Sequence, residues 1–330
     1  MLNSSAHLSH TVFDKNGDAA ALRDGYGQGL LEVGKEENVV VLTGDLEEST
    51  RCHWFAKVYP ERFFEMGVAE QNMAAVAAGL GVSGKIPFIN SYATFSPGRN
   101  WEQIRTLAAY NNANVKIAGH HAGISTGPDG ATHQAIEDVA TMRAMPNMKV
   151  IVPCDAIEAQ KATVAAAAIY GPMYIRLQRE KTPVITTKET PFVVGKAQVF
   201  WIPKTKKIDV LIIGMGPAVY QAMEAARVLE KEHIASVVMN IGTIKPIDTK
   251  EVIAWVKKAG AVVTVEEHTI MGGLGSAVAE VLVRHCPVPM EMVGIADVFG
   301  QSGTPQELIK RYHLDVPDVV HAVKTVIKRK

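Results

Sequence analysis

The run Gly119-His120-His121-Ala122-Gly123-Ile124-Ser125-Thr126-Gly127-Pro128-Asp129-Gly130-Ala131-Thr132-His133 holds three histidines and one aspartate in a glycine-rich loop. It follows an apolar strand. Long loops with titratable residues at strand ends are where α/β proteins place their chemistry. No H-x-x-x-H helix or neighbouring carboxylate cluster accompanies it, which disfavours zinc. Imidazoles that hydrogen-bond to a polar substrate or move its protons fit the composition better.

Glu70 is the acid with the most informative setting. It opens a helix whose next residues, Ala74, Ala75, Ala77, Ala78 and Gly79, are almost all small. Small side chains allow another helix to approach closely, and a glutamate beside Met66 and Met73 is expected to be desolvated. An acid in a first turn also simply favours the helix dipole, and spacing alone leaves both readings open. Arg23 and Arg179 are candidate anion clamps, because planar guanidinium forks suit phosphate. Surface salt-bridging is the alternative for each. Tyr92, Phe95 and Trp101, just beyond another strand, offer faces for a flat heterocycle or simply core packing.

Two glycine-rich turns are weaker signals. Gly214-Met215-Gly216-Pro217-Ala218-Val219 begins like a dinucleotide fingerprint, but Val219 stands where the third glycine belongs. Asn240 ends the next strand where a ribose-binding acid is expected, so nicotinamide binding is disfavoured. Gly272-Gly273-Leu274-Gly275-Ser276, after Glu266-Glu267-His268, has the form of an anion cradle at a helix start or of a plain tight turn.

Short β-rich runs alternating with alanine-rich helical stretches must position these groups. Strands are expected at 39–43, 62–65, 86–89, 115–118, 149–152 and 173–177. Helices are expected at 19–35, 70–81, 100–110, 133–140 and 156–170. Such alternation predicts parallel or mixed sheets covered by helices on both faces, a three-layer α/β arrangement. Residues 181–207, with three prolines and no helical period, read as a linker plus edge strands. A second cycle follows, with strands at 209–213, 236–240, 261–265 and 291–294. Its helices are expected at 218–231, 249–259, 274–285, 305–312 and 317–328. Two domains are therefore expected, 1–190 and 191–330.

The 330 residues match about two domains at roughly 150 residues each. Lys plus Arg number 34 and Asp plus Glu 34, and this zero net charge argues against nucleic acid as a main partner. The cysteines Cys52, Cys154 and Cys286 form no C-x-x-C and read as structural thiols in a reducing compartment. No 18-residue apolar run and no leader pattern is present, so a cytoplasmic protein without membrane contact is expected.

RFFEMGVAEQNMAAVAAGLG, then NSYATF, then GISTGPDGATHQAIED and MRAMPNMKVIVPCD, together resemble transketolase, in the family's order and at near-family spacing. From about Ala21 onward the chain is similar to the thiamine diphosphate-binding pyrimidine domain followed by the transketolase C-terminal domain. The resemblance implies roles residue by residue. Glu70, in V-A-E-Q-N, matches the glutamate that contacts N1′ of the thiamine aminopyrimidine, and Phe95 the ring that stacks on it. Asp45 matches an acid beside the cofactor. Trp101 is a candidate for a further aromatic contact, since Gly98 stands where the family often has one. Asp129 and His133 match groups near the donor's hydroxyls and reaction centre. His121 matches another sugar-contacting histidine, followed here by Ala122 in place of a common aspartate. Arg23, Ser49 and Arg179 match positions that grip the acceptor's phosphate.

In that family Mg²⁺ joins the diphosphate to a G-D-G motif and a downstream asparagine. No G-D-G occurs here. A hard cation among phosphates needs those oxygen ligands. The resemblance therefore implies the C-terminal subunit of a split transketolase. It would pair with a separate diphosphate-binding subunit, as α2β2, and transfer a two-carbon ketol unit between sugar phosphates. Three alternatives stay open: a sulfonated or branched sugar as substrate, the β subunit of a 2-oxo acid dehydrogenase, and a non-catalytic paralogue.

Overall fold

A computed structural model describes residues 1–330. Its strands are β1 (Ala19–Ala21), β2 (Val39–Thr43), β3 (Phe63–Glu65), β4 (Ile86–Tyr92), β5 (Lys116–His120), β6 (Lys149–Ile151) and β7 (Met173–Arg176), then β8 (Lys181–Pro183), β9 (Gln198–Trp201), β10 (Val210–Gly214), β11 (Ser236–Asn240), β12 (Thr243–Lys245), β13 (Val262–Thr269) and β14 (Met290–Ile295). The helices are α1 (Leu22–Val33), α2 (Glu47–Thr50), α3 (His53–Val58), α4 (Glu70–Val82), α5 (Trp101–Gln103), α6 (Asp138–Ala144) and α7 (Ala156–Ala168), then α8 (Ala218–Lys231), α9 (Thr249–Ala259), α10 (Leu274–His285), α11 (Pro305–Arg311) and α12 (Val316–Ile327).

Two sheets form the frame, in the order β12-β6-β7-β5-β4-β2-β3 and β14-β13-β10-β11-β9. Central strands such as Val39–Thr43, Val210–Gly214 and Ser236–Asn240 are buried along their whole length. That is why they read as unbroken apolar runs rather than alternating ones. All pairings are parallel in both sheets except β12 with β6 and β9 with β11. Helices cover both faces, giving the expected three-layer α/β architecture. Against the first sheet, α1 and α7 press together where Gly25 meets Ala156; a Cβ at 25 would lie 1.8 Å from the Ala156 carbonyl oxygen.

The two sheets do not divide the chain at one point. β12, from the second half, closes the edge of the first sheet beside β6. At the other terminus, the Asn3 amide donates to the Phe200 carbonyl and Leu2 bridges Trp201, so the first residues join the second half.

Several boundaries differ from the sequence reading. Ala19–Ala21 is a strand paired with Lys181–Pro183, not the start of a helix; ladder pairing overrides alanine's helix preference. The helix expected at 133–140 begins at Asp138 and runs to Ala144. Residues before it are held extended: the Gly123 amide bonds the Ala135 carbonyl, and the Thr269 amide bonds the Ile136 carbonyl. The stretch after α5, Ile104–Ala109, is π-helical.

Candidate functional site

Four parallel strands of the first sheet, β2, β4, β5 and β7, deliver the candidate residues from their carboxyl ends, where open α/β sheets form their crevices. Gly44-Asp45 follows β2, Phe95 follows β4, His121 follows β5, and Arg179 follows β7. Glu70 enters from the side at the start of α4 and is 1% exposed.

Glu70 is not alone in its burial. Arg99 Nη1 donates to Oε2 at 2.7 Å, and the Ser91 hydroxyl lies 3.3 Å from Oε1. The Asn100 amide bonds the Glu70 carbonyl at 3.1 Å, tying the turn after β4 to the helix start. The Arg99 guanidinium also lies over the Phe95 ring, 4.7 Å from its centroid. Arg99 thus contacts both groups that the sequence reading assigns to one heterocycle. Sequence reasoning missed it, because only the fold of the turn 93–100 brings a solvent-side arginine back to Glu70.

From Phe95 the rings form a continuous row. His133 stands edge-on to Phe95 at 5.3 Å, Tyr92 lies 6.2 Å from Phe95, and His121 stacks on Tyr92 at 4.0 Å. His121 is buried, and that burial, reinforced by Arg23, Arg179, His133 and Arg51, pushes its imidazole down to about 3. It is therefore a neutral hydrogen-bonding group near neutral pH. Behind it, His120 is fully buried edge-on to Tyr26 at 4.9 Å, with burial holding it neutral as well.

The cationic side of the crevice comes from three arginines. Arg23 Nη1 donates to the Ser49 backbone carbonyl at 3.1 Å, so Ser49 meets Arg23 through its main chain. Arg179 Nη1 bonds the Thr126 carbonyl at 3.0 Å and lies 4.0 Å from Asp129. Arg51 pairs with Asp24 at 2.7 Å; sequence reasoning did not single it out. Burial, then Arg51, lowers the Arg23 guanidinium from its ordinary value. Like charges held together in this way favour an anion between them.

Two expected residues stand apart from this row. Asp45 is exposed, with its amide donating to Glu65 Oε1 at 2.9 Å. Trp101 lines a separate hollow of about 230 Å³ with Ala93, Pro97, Ala135 and Asp138, and touches neither Phe95 nor Glu70 through a ring or hydrogen-bond contact.

The Gly272–Ser276 turn has an internal occupant. The Leu274 and Gly275 amides each donate to the Glu266 carboxylate at 2.7 Å, so the chain's own acid fills the anion cradle. Burial pushes Glu266 up to about 7 against those donors. The Asn240 amide bonds Glu158 at 2.8 Å across the two halves.

At the Glu70–Phe95 corner Arg99 bonds the buried carboxylate and lies over the aromatic face, so a planar, protonable ring would take Arg99's place there, against a carboxylate whose Oε1 holds only a long bond from Ser91. No group of three or more His, Cys, Asp or Glu side chains gathers to hold a metal ion. No helix is long and apolar enough to cross a membrane.

Comparison with known proteins bears on the whole chain. Residues 18–184 match the family described as "Transketolase, pyrimidine binding domain", and residues 201–319 match "Transketolase, C-terminal domain". A Methanocaldococcus jannaschii protein, provisionally described as a transketolase C-terminal section, is 45% identical over 93% of this chain and 96% of its own length. The 6-deoxy-6-sulfo-D-fructose transketolase subunit SqwH of Clostridium sp. is 39% identical over 94% of this chain and 95% of its own. Among solved structures, "Split gene transketolase, inactive beta4 tetramer" superposes with a TM-score of 0.87 at 47% identity, covering 94% of this chain and 99% of that one. Rat and human transketolases are longer, and the chain spans 50% of their length.

Proposed function

The chain belongs to the transketolase family, and from that premise we propose that it is the pyrimidine-holding, C-terminal subunit of a split transketolase. Its reaction is transfer of a two-carbon ketol unit from a ketose phosphate to an aldose phosphate. The observation that carries this reading is the single row Glu70, Phe95, His133, Tyr92 and His121, flanked by Arg23 and Arg179. It combines one buried acid, one aromatic face, neutral imidazole and an anion-favouring rim.

Thiamine diphosphate, when bound, supplies the nucleophilic carbon that ketol transfer requires. Glu70 and Phe95 would hold its pyrimidine ring. Glu70 holds or takes a proton at the ring nitrogen, and Phe95 covers a ring face and keeps water from it. His121, uncharged in its buried seat, offers an N–H or a lone pair to a sugar hydroxyl. His133 and Asp129 stand further along the same loop, where His133 serves to move a proton at the sugar oxygen. Arg23 and Arg179 draw in the anionic end of the sugar. Mg²⁺ and the diphosphate belong on a partner subunit in this reading, and the expected assembly is α2β2.

A sulfonated sugar is a second reading, supported by the 39% identity to the 6-deoxy-6-sulfo-D-fructose transketolase subunit, since the arginine rim suits phosphate and sulfonate equally. A 2-oxo acid substrate gives no role to the Asp129–His133 loop.

The test uses the chain reconstituted with a diphosphate-binding partner. Turnover is expected with xylulose 5-phosphate and not with pyruvate, and Glu70→Ala should lower kcat by about 100-fold or more, the scale on which general acid–base groups act. Full activity in Glu70→Ala would favour a role without chemistry at this site.

A further inference from the structure

The loop from His121 to His133 carries the candidate sugar contacts, yet much of what fixes it comes from the other half of the chain. Glu267, near the end of β13, reaches across with a buried carboxylate. Its Oε1 accepts the Ser125 amide at 2.7 Å, midway between His121 and Asp129. Its Oε2 accepts Gln178 Nε2, and its carbonyl accepts Arg176 Nη2 at 3.0 Å. Gly123, at φ +86°, lies against the same carboxylate: a Cβ there would sit 2.2 Å from Oε1. Two further ties hold the far end. The Thr269 amide bonds the Ile136 carbonyl at 2.8 Å, and Gln134 Nε2 bonds the Gln301 carbonyl at 3.0 Å.

None of these groups bonds Glu70 or Arg99, whose ties come from α4, β4 and the turn after it, and the loop meets that corner where His133 stands edge-on to Phe95 at 5.3 Å. The hydrogen bonds that hold Glu70 and those that hold the loop are therefore separate sets. We propose that Glu267 is a positioning residue through which the C-terminal domain sets the sugar-contacting loop, leaving the hydrogen bonds that hold Glu70 in place. The inference rests on the transketolase reading for what the loop binds, but not for the contact itself. A buried carboxylate that accepts a loop amide fixes the loop only where the fold supplies the acid. Here the acid comes from β13, so docking of the two domains and the shape of the sugar site are one event.

Glu267→Ala and Glu267→Gln test this in the reconstituted pair and in the full chain alone. In the chain alone, Glu267→Ala should speed amide hydrogen exchange at Ser125 by about tenfold or more, because the opening is local. In the pair, kcat/KM for the donor sugar should fall by about 10- to 100-fold, the scale of loss for a misplaced binding group. The Kd for thiamine diphosphate should stay within about twofold, since no contact in that corner is removed. Glu267→Gln, which keeps an oxygen for the Ser125 amide, should recover most of the sugar kinetics. Should Glu267→Ala not fold, Gly123→Ala presses on the same carboxylate from the loop side and should give the same split. Unchanged Ser125 exchange, or parallel loss of sugar and cofactor affinity, would overturn the proposal. Faster Ser125 exchange in a wild-type-competent fold whose pair turns over no sugar would uphold the clamp and sink the ketol-transfer reading instead.

Discussion

At the residue scale, burial decides which of the titratable groups can change charge. His121, held down to about 3 by its burial and by Arg23, Arg179, His133 and Arg51, stays neutral through the working range. NMR titration of its ring carbons should show no inflection between about pH 5 and 8. An inflection near the ordinary imidazole value would mean that the crevice is open to water. Asp138 behaves oppositely. Burial alone would raise its carboxyl, but Arg176 at 2.8 Å outweighs it, with His268 and the Tyr174 hydroxyl adding, and the carboxyl sits below its ordinary value. A depressed folded value means that the stabilisation is present above about pH 4 and is lost as pH falls through and below that point. Asp138→Asn leaves Arg176 buried without its partner and should cost about 3–5 kcal/mol in urea unfolding at pH 7. Its stability should also vary less than wild type below pH 4.

Spacing alone leaves Glu70 and Phe95 open, and their roles come from the resemblance carried by V-A-E-Q-N and S-Y-A-T-F; the structure links the two through Arg99. The contacts of Arg99, Arg51 and Glu267 are not legible in the sequence. Their partners lie 29, 27 and 142 residues away, and no periodicity in one dimension encodes such pairings.

At the element scale, the helices of the second half match their sequence periodicity to the residue or nearly so, as with Ala218–Lys231, Thr249–Ala259 and Leu274–His285. Amphipathic periodicity and clear ends such as Gly260 explain that success. The errors fell where backbone is committed to distant pairing: β1 against β8, β12 against β6, and the extended stretch before α6. The α1–α7 contact gives a test at this scale. Gly25→Ala places a methyl 1.8 Å from the Ala156 carbonyl oxygen, too close for any rotamer to relieve. Gly25→Ala should cost about 1–3 kcal/mol by forcing the helices apart, although alanine is the better helix former. A stability equal to or above wild type in thermal unfolding would show that α1 and α7 separate freely.

At the scale of the whole molecule, two three-layer units are interlocked rather than strung together. β12 closes the first sheet, the N-terminal residues edge the second, and a buried polar set of Asp138, Arg176, His268 and Glu267 lies between them. Cutting the chain near residue 190 should therefore leave the first unit without an edge strand, and neither piece is expected to reproduce the parent's cooperative unfolding. The zero net charge of the chain sits beside a local crevice of arginines, so overall balance and local anion binding do not conflict.

In the proposed reading the pyrimidine corner around Glu70 and the sugar loop lie on this chain and the metal-bound diphosphate on a partner subunit. Ketol transfer from xylulose 5-phosphate to ribose 5-phosphate, assayed with thiamine diphosphate and Mg²⁺ for the chain alone and again after adding a diphosphate-binding subunit, tests that division most directly. No turnover by the chain alone and robust turnover by the pair is the expected result. Robust turnover by the chain alone would contradict it.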